Sequence, residues 1–327
     1  MIPTTYKAAV LTGFGGPENL ILADRPMRQL KPDQVLVRTI ATSVNSGDVR
    51  IRSKNVPRGF RFLMSLVFGF RTPRIEVLGT VFAGEVVSIG PSVDKFKAGD
   101  LVFGSTELKM GCHAQYLTIK DHAAIVPIPT GLTPEESASL VFGGSTADYF
   151  IAKTGLKKNE RILINAASGS VGIAMTQIAS ALGAHVTSVA SARNHGFLRE
   201  HGADEVIDYT TTDLTTLDAK FDVIADCLGT MPYSKHHHLL AKRGRFALIS
   251  GTMAEGLAGP IRNLFGTRKT VGGTSLATQA SMEKLVAHVT ANSLSPVIDK
   301  VFAFDDIQAA HAYVDTGHKR GNVIVTF

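Results

Sequence analysis

Cysteine is scarce: Cys112 and Cys227 are the only two in 327 residues. Two thiols cannot build a disulfide framework, so the expected compartment is a reducing cytoplasm. Long hydrophobic runs are missing as well. No stretch reaches the length of a membrane span, and the first residues lack the charged-then-apolar pattern of a secretory leader. No internal repeat and no low-complexity stretch is present. With 44% hydrophobic and 19% charged residues, the chain reads as a soluble globular protein long enough for two domains. Its net charge of +6 is too mild to argue for a nucleic-acid partner and suits a protein that binds an anionic small molecule.

Against that plain background one stretch stands out, Arg161 to His201. Ile162-Leu163-Ile164 is the short apolar run of a strand buried on both faces. The small-residue turn Ala166-Ala167-Ser168-Gly169-Ser170-Val171-Gly172 follows. Val171, Ile173, Ala174, Ile178, Ala181 and Leu182 then recur at helical spacing until Gly183 stops the helix. A second strand, Val186 to Ala190, completes a strand–helix–strand unit. The turn matches the dinucleotide fingerprint as Ala167-x-Gly169-x-x-Gly172. Small residues are needed there because a pyrophosphate must reach the N–H groups at the helix start, and side chains would block it. Ser168, Gly169, Ser170, Val171 and Gly172 are therefore expected to bind a dinucleotide cofactor.

A further absence selects which dinucleotide. The second strand runs into Val189-Ala190-Ser191-Ala192-Arg193-Asn194 without the acid that accepts hydrogen bonds from a ribose 2′-hydroxyl. Ser191 can bond a 2′-phosphate and Arg193 offers a forked cation for it, so NADPH is expected. Tyr209, at the end of the run Glu205-Val206-Ile207-Asp208-Tyr209, can lie beside the same phosphate.

Taken in order, residues 1–125 are strand-rich, with runs at Tyr6–Leu11, Gln34–Ala41, Val77–Ile89 and Leu101–Phe103 cut by Gly, Pro and Asp turns. A helix opens at Thr133 with Glu136 three residues on and Pro134 at its first position. Strands and helices alternate from Arg161 to about Gly273, with further strands at Val223–Asp226, Arg245–Ser250 and near Val271, which implies a parallel doubly wound sheet. A helix from about Ser281, a strand at Val297–Phe302, a helix capped by Asp305 with Gln308, and a last strand Asn322–Phe327 complete the chain.

Several motifs in fixed order carry a family resemblance. They are Ala41-Thr42-Ser43-Val44-Asn45-Ser46-Gly47-Asp48, Leu78-Gly79-Thr80-Val81-Phe82-Ala83-Gly84-Glu85-Val86, Phe96–Gly104, Ala166–Gly172 and Gly202–Tyr209. From end to end the chain resembles the zinc-free medium-chain dehydrogenase/reductases of the quinone oxidoreductase (zeta-crystallin-like) branch, although Val81 stands where many relatives place Asp. The resemblance implies an α/β fold: a GroES-like β-barrel catalytic domain over 1–125, a Rossmann NADP-binding domain with a doubly wound parallel sheet over 126–273, and a return segment 274–327 completing the first. It also implies that Asn45 lines the cleft beside the nicotinamide, Asp48 supports its loop and Thr146 lies nearby. Leu228, Ser250, Gly251 and Thr252 are expected to make cofactor contacts where two strands end. His318, Arg320 and Asn322 belong to a segment that closes over the cofactor, and a homodimer is implied.

No metal site is expected. Val44-Asn45-Ser46 and Gly79-Thr80-Val81 replace the Cys and the Gly-His-Glu of zinc-dependent relatives. His236-His237-His238 reads as a solvated helix segment, since successive helical residues point apart. Cys112-His113 are adjacent and do not face each other. Hydride transfer to a quinone or an enone needs orientation and oxyanion stabilisation, which Asn45 can supply, with the proton from water or Tyr149. The expected function is zinc-independent, NADPH-dependent reduction of quinones or α,β-unsaturated carbonyls. The alternatives are an NAD(P)-dependent alcohol dehydrogenase and a non-catalytic NADPH-binding protein associating with RNA or protein.

One stretch fits none of this. Arg50 to Arg74 carries Arg50, Arg52, Lys54, Arg58, Arg61, Arg71 and Arg74 without an acid, interleaved with Phe60, Phe62, Leu63, Leu66, Val67, Phe68 and Phe70. It reads as a helical lid packing its apolar face on the barrel, with Phe60, Leu63 and Phe70 lining a substrate pocket, or as an interaction surface at a membrane or on nucleic acid.

Overall fold

A computed structural model describes residues 2–57 and 59–327. The central strand Arg161–Asn165 shows how the sequence builds the larger layer. Ile162 and Ile164 point into the core on one side, while Leu163 points into a second core on the other. Alternating side chains that are all apolar require cover on both faces, which helices provide. Around this strand lies a six-stranded parallel sheet in the order Glu205–Ile207, His185–Val189, Arg161–Asn165, Phe221–Asp226, Leu240–Leu248, Lys269–Gly272. Chain order reverses between Arg161–Asn165 and Phe221–Asp226, and a doubly wound sheet opens a crevice at such a reversal, beyond the carboxyl ends of its strands.

The second sheet has seven strands. Six run in the order Ile298–Ala303, Asn322–Thr326, Gln34–Val44, Val81–Ile89, Leu101–Ser105, Ile125–Pro127, and Tyr116–Lys120 pairs with Gln34–Val44 off that path. Thr5–Leu11 and Leu20–Pro26 form a separate antiparallel hairpin. The last strand, Asn322–Thr326, returns to pair antiparallel with Gln34–Val44, so the chain's end rejoins its beginning.

Helix Pro134–Thr154 links the two sheets. Its start has the expected cap: the Thr133 hydroxyl accepts the Glu136 N–H, and Glu136 accepts the Thr133 N–H in return. One core takes Ala41, Val81 and Phe103 from the seven-stranded sheet and Ile162, Ile164 and Val223 from the six-stranded one, with Leu140 and Phe150 of this helix between them. Gly143 lets helix Ser170–Ala181 approach closely, because a methyl group at 143 would lie 2.3 Å from the Ser170 carbonyl oxygen.

Two expectations about local structure fail. Asp305 and Gln308 form no capping box: helix Ile307–Asp315 has no side-chain cap, and Gln308 donates instead to the Leu20 carbonyl at 2.6 Å. A tertiary partner has taken the side chain that the local motif needed. The strand expected to begin near Val77 begins at Val81, because Gly79 turns the backbone at φ +89°.

Candidate functional site

The turn after Arg161–Asn165 is shaped for an anion. Ala166 is left-handed at φ +56° and swings the chain back. Gly169 then caps helix Ser170–Ala181 without a side chain and bridges Gly321, and the N–H groups of Val171 and Gly172 find no acceptor among the described residues. A methyl group at Gly172 would lie 2.5 Å from Ala166 O and 2.6 Å from Ala167 Cα, whereas at Gly169 nothing comes nearer than 3.6 Å. Glycine at 172 serves the packing of helix on strand; glycine at 169 keeps the approach open. Unpaired N–H groups at the positive end of a helix fit a dinucleotide's pyrophosphate.

The return segment is fastened onto this turn. Gly321 N–H donates to the Ser168 carbonyl at 2.8 Å, and Ser170 Oγ donates to Asn322 Oδ1 at 2.5 Å. Arg320 donates through Nε to Asn194 Oδ1 at 2.8 Å and through its terminal nitrogen to the Arg193 carbonyl at 3.0 Å. Asn194 in turn donates to Ser168 Oγ at 3.2 Å. Arg320 and Asn322 thus hold the walls of the turn through polar side chains, and Ser168 joins them.

Beside the turn opens a cleft of about 440 Å³. Of the residues expected to bind the cofactor, Ser168, Ser191, Arg193, Tyr209, Leu228 and His318 line it. Three features of this cleft were not expected. Lys319 also lines it, its ammonium drawn down to about 8 by desolvation against the pull of Asp299. Asn165 bridges two strand ends, donating to Asp226 Oδ1 at 2.8 Å and Thr230 Oγ1 at 2.9 Å. The Asp226 carboxylate is buried and also accepts the N–H groups of Leu228, Gly229 and Met231. Third, His236 is buried and lines the cleft, donating from Nδ1 to the Pro232 carbonyl at 3.0 Å. The solvated helix segment is therefore corrected: the helix ends at His236, and a tighter turn carries His237 and His238 elsewhere.

Between the two domains, Asn45 acts first as a helix cap. Its Oδ1 accepts the N–H groups of Gly47 and Asp48 at 2.8 and 3.2 Å, and its Nδ2 donates to Thr80 Oγ1 at 3.1 Å. Asp48 completes the cap by accepting the Asn45 N–H at 2.9 Å. Burial pushes the Asp48 carboxyl up to about 7, with the Asn45 N–H pulling the other way. Thr146 donates to the Phe142 carbonyl at 2.8 Å. The Tyr149 hydroxyl takes a hydrogen bond from Lys153 Nζ at 2.7 Å, and Lys153 also reaches the Gly272 carbonyl at the end of the edge strand. Asn45 and Tyr149 are not joined by a hydrogen bond. Ser250 Oγ accepts from Arg50 at 3.1 Å across the two domains. Gly251 precedes Thr252, which caps helix Met253–Phe265 in a box with Glu255.

Comparison with known proteins decides the family. The alcohol dehydrogenase GroES-like domain matches residues 31–156, and the zinc-binding dehydrogenase domain matches residues 201–325. Trans-enoyl reductase pgmF of Aspergillus terreus is 32% identical over 324 residues, covering 91% of this chain and 87% of that protein. The chain belongs to the medium-chain dehydrogenase/reductase family. The NADPH-dependent alkenal/one oxidoreductase of Arabidopsis thaliana chloroplasts is 26% identical over 336 residues, covering 99% of this chain and 80% of that one. The solved quinone oxidoreductase from Coxiella burnetii superposes with a TM-score of 0.87 at 27% identity, covering 99% of both chains. Medium-chain dehydrogenase/reductases are oxidoreductases that bind a nicotinamide dinucleotide, and the turn, the clamp and the cleft fit one.

Zinc is a different matter, although a family domain carries it in its description. Among the described residues no three His, Cys, Asp or Glu side chains converge on one point. The Cys112 sulfur lies 3.2 Å from Thr106 Oγ1 and is buried, which pushes the thiol up to about 12, while the neighbouring His113 ring turns to the Ser43 carbonyl. These side chains do not fit the ion.

Proposed function

We propose that this medium-chain dehydrogenase/reductase is a zinc-independent reductase that uses NADPH to reduce quinones or α,β-unsaturated carbonyls. The observation that carries the reading is the charge of the cleft. Arg193 and Ser191, which follow the second strand of the unit where an NAD site would present an acid to the ribose, line this cleft together with Lys319. Asp213 is the acid among the described lining residues, and its carboxylate already accepts the Thr215 N–H and hydroxyl. Two cations and a hydroxyl suit the extra phosphate of NADPH.

Within this reading the N–H groups of Val171 and Gly172 hold the pyrophosphate, and Arg193 with Ser191 holds the 2′-phosphate. When bound, the cofactor supplies the hydride. Asn45 Nδ2 has a second hydrogen beyond the one given to Thr80, and that hydrogen is proposed to stabilise the developing oxyanion. Tyr149 is proposed as proton donor, because the Lys153 ammonium on its oxygen would stabilise the phenolate left behind. A homodimer is proposed through the open side of the edge strand Lys269–Gly272 and the neighbouring exposed residues Leu257, Ile261, Leu264 and Phe265.

The test is a spectrophotometric assay. EDTA-treated protein is mixed with NADPH or NADH and a benzoquinone, a naphthoquinone, a 2-alkenal, a cyclic enone or a saturated aldehyde. NADPH consumption with quinones or enones, and none with the saturated aldehyde, is expected. Equal use of NADH, activity on the saturated aldehyde alone, or activity lost to the chelator would each remove the corresponding part of the proposal.

A further inference from the structure

In the acid-free stretch after Arg50, the helix turns most of its large apolar side chains outward. In helix Arg61–Phe68, Phe68 and Met64 pack inward on Leu11, Leu20 and Leu78. The other apolar side chains stay in water: Phe62 is 67% exposed, Leu63 51%, Leu66 44%, Val67 43% and Phe70 52%. Residues 62, 63, 66 and 67 share one helix face by spacing. Phe70 joins them, its ring edge-to-face with Phe62 at 6.0 Å between centroids. The expectation that Leu63 and Phe70 line a substrate pocket is thereby corrected, since both open outward.

Cations ring this face. Lys54, Arg61, Arg71 and Arg74 make no ion pair with a carboxylate among the described residues; Arg58 lies outside them. Lys54 and Arg74 donate to the Phe70 and Leu66 carbonyls, which holds both charges beside the apolar side chains. The patch also adjoins the opening between the domains. Gly59, two residues before the helix, packs on Met253, where a methyl group at 59 would lie 2.7 Å from Met253 Cβ. Met253 follows Ser250-Gly251-Thr252, and Ser250 receives the Arg50 bond.

We propose that helix Arg61–Phe68 with Phe70 and Arg71 docks the protein on an anionic phospholipid surface. Large apolar side chains framed by unneutralised cations complement a layer that is apolar inside and negative at its rim. RNA would answer the cations but offers nothing to Leu63, Leu66 and Val67. A second copy of this chain would bring like charges face to face. Docking sets the domain opening against the phase into which quinones and long-chain enones partition. That last clause rests on the reductase reading; docking itself does not.

The experiment uses the full chain without cofactor or substrate, sedimented with phosphatidylcholine vesicles containing about 30 mol% phosphatidylserine, or with phosphatidylcholine alone. Binding to the anionic vesicles at least about tenfold tighter than to the neutral ones, largely released at about 0.5 M salt, is expected. The triple variant F62E/L66E/F70E should lose binding by about tenfold or more, and R61Q/R71Q should weaken it about fivefold per charge. F62A/F70A provides a milder pair should the triple variant misfold, and Leu182→Ser, at an exposed apolar position elsewhere on the surface, should change nothing. No sedimentation, equal binding to neutral vesicles, or variants that bind like the parent would overturn the proposal. So would a salt-sensitive RNA gel shift, or self-association through this face in ultracentrifugation, when vesicle binding is absent. Reduction of a water-soluble quinone without vesicles reads the enzymatic proposal separately, so the two can fail independently.

Discussion

The glycine turn at Ala166–Gly172 and the helix Arg61–Phe68 solve opposite problems on one scaffold. In the turn the backbone is proposed to do the binding, side chains are small, and neighbours such as Asn194, Arg320 and Asn322 are committed to holding the walls. In the helix and the Phe70 that follows it the side chains are the feature, and five large apolar groups lie open to water with cations around them. A backbone site admits few residue types, because sterics leave little choice. A side-chain face admits many, and its purpose depends on what it meets.

The difference can be broken first at Gly172. A methyl group there meets backbone atoms of Ala166 and Ala167, which cannot move without disturbing the central strand. Gly172→Ala should cost on the order of 3 kcal/mol in urea unfolding. Near-parent stability would mean the helix is not seated on the turn as described.

The next effect concerns Asp48, in the helix that leads from the domain cleft into the basic stretch. Its raised folded-state pKa means that between about 4 and about 7 the native state holds more protons than the unfolded chain, so its contribution to stability falls as pH rises. Burial lowers His113 to about 4 and His311 in the same direction; there the unfolded chain holds more protons up to about 6.5, and stability rises with pH. The two trends oppose each other. Asp48→Asn should leave the histidines unopposed, so that stability climbs from pH 4 to 6.5 by on the order of 3 kcal/mol more than in the parent. Parallel pH profiles for the two proteins would place the Asp48 carboxyl outside this balance.

Third comes Arg193, a side chain within the backbone-built site. Arg193→Ala should weaken NADPH binding about tenfold or more in calorimetry and leave NADH nearly unchanged, through loss of a charge-assisted contact. Equal losses for both cofactors would remove Arg193 from phosphate recognition and would favour a purely structural part at the His318 carbonyl.

What the amino-acid sequence alone reveals follows the same division. The doubly wound sheet was legible because Ile162-Leu163-Ile164 and its companion runs need cover on both faces, and the small residues at 167, 169 and 172 mark the turn for a steric reason. Lys319 and His236 were not legible as cleft residues. Their places depend on a return segment arriving from 125 or more positions away in the one case, and on a helix that stops at His236 in the other. Asn45 and Asp48 were legible as neighbours, and their spacing is also that of a helix cap, which is what they form. Gln308 misled because a local motif cannot reveal that the Leu20 carbonyl is nearer.

The smallest effect is the sharpest test of the exposed face. Leu63 and Phe68 lie on one short helix, yet Leu63 is 51% exposed and Phe68 only 3%. If the outward face carries no folding load, Leu63→Ser should shift unfolding free energy by no more than about 0.5 kcal/mol. Phe68→Ser removes a side chain packed in a core and should cost on the order of 3 kcal/mol. A large loss for Leu63→Ser would mean that the helix packs against another surface of this chain in solution, and its apolar residues would then belong to the fold and not to a partner. A negligible loss leaves five large side chains that stability does not explain, and such a face is retained for what it touches.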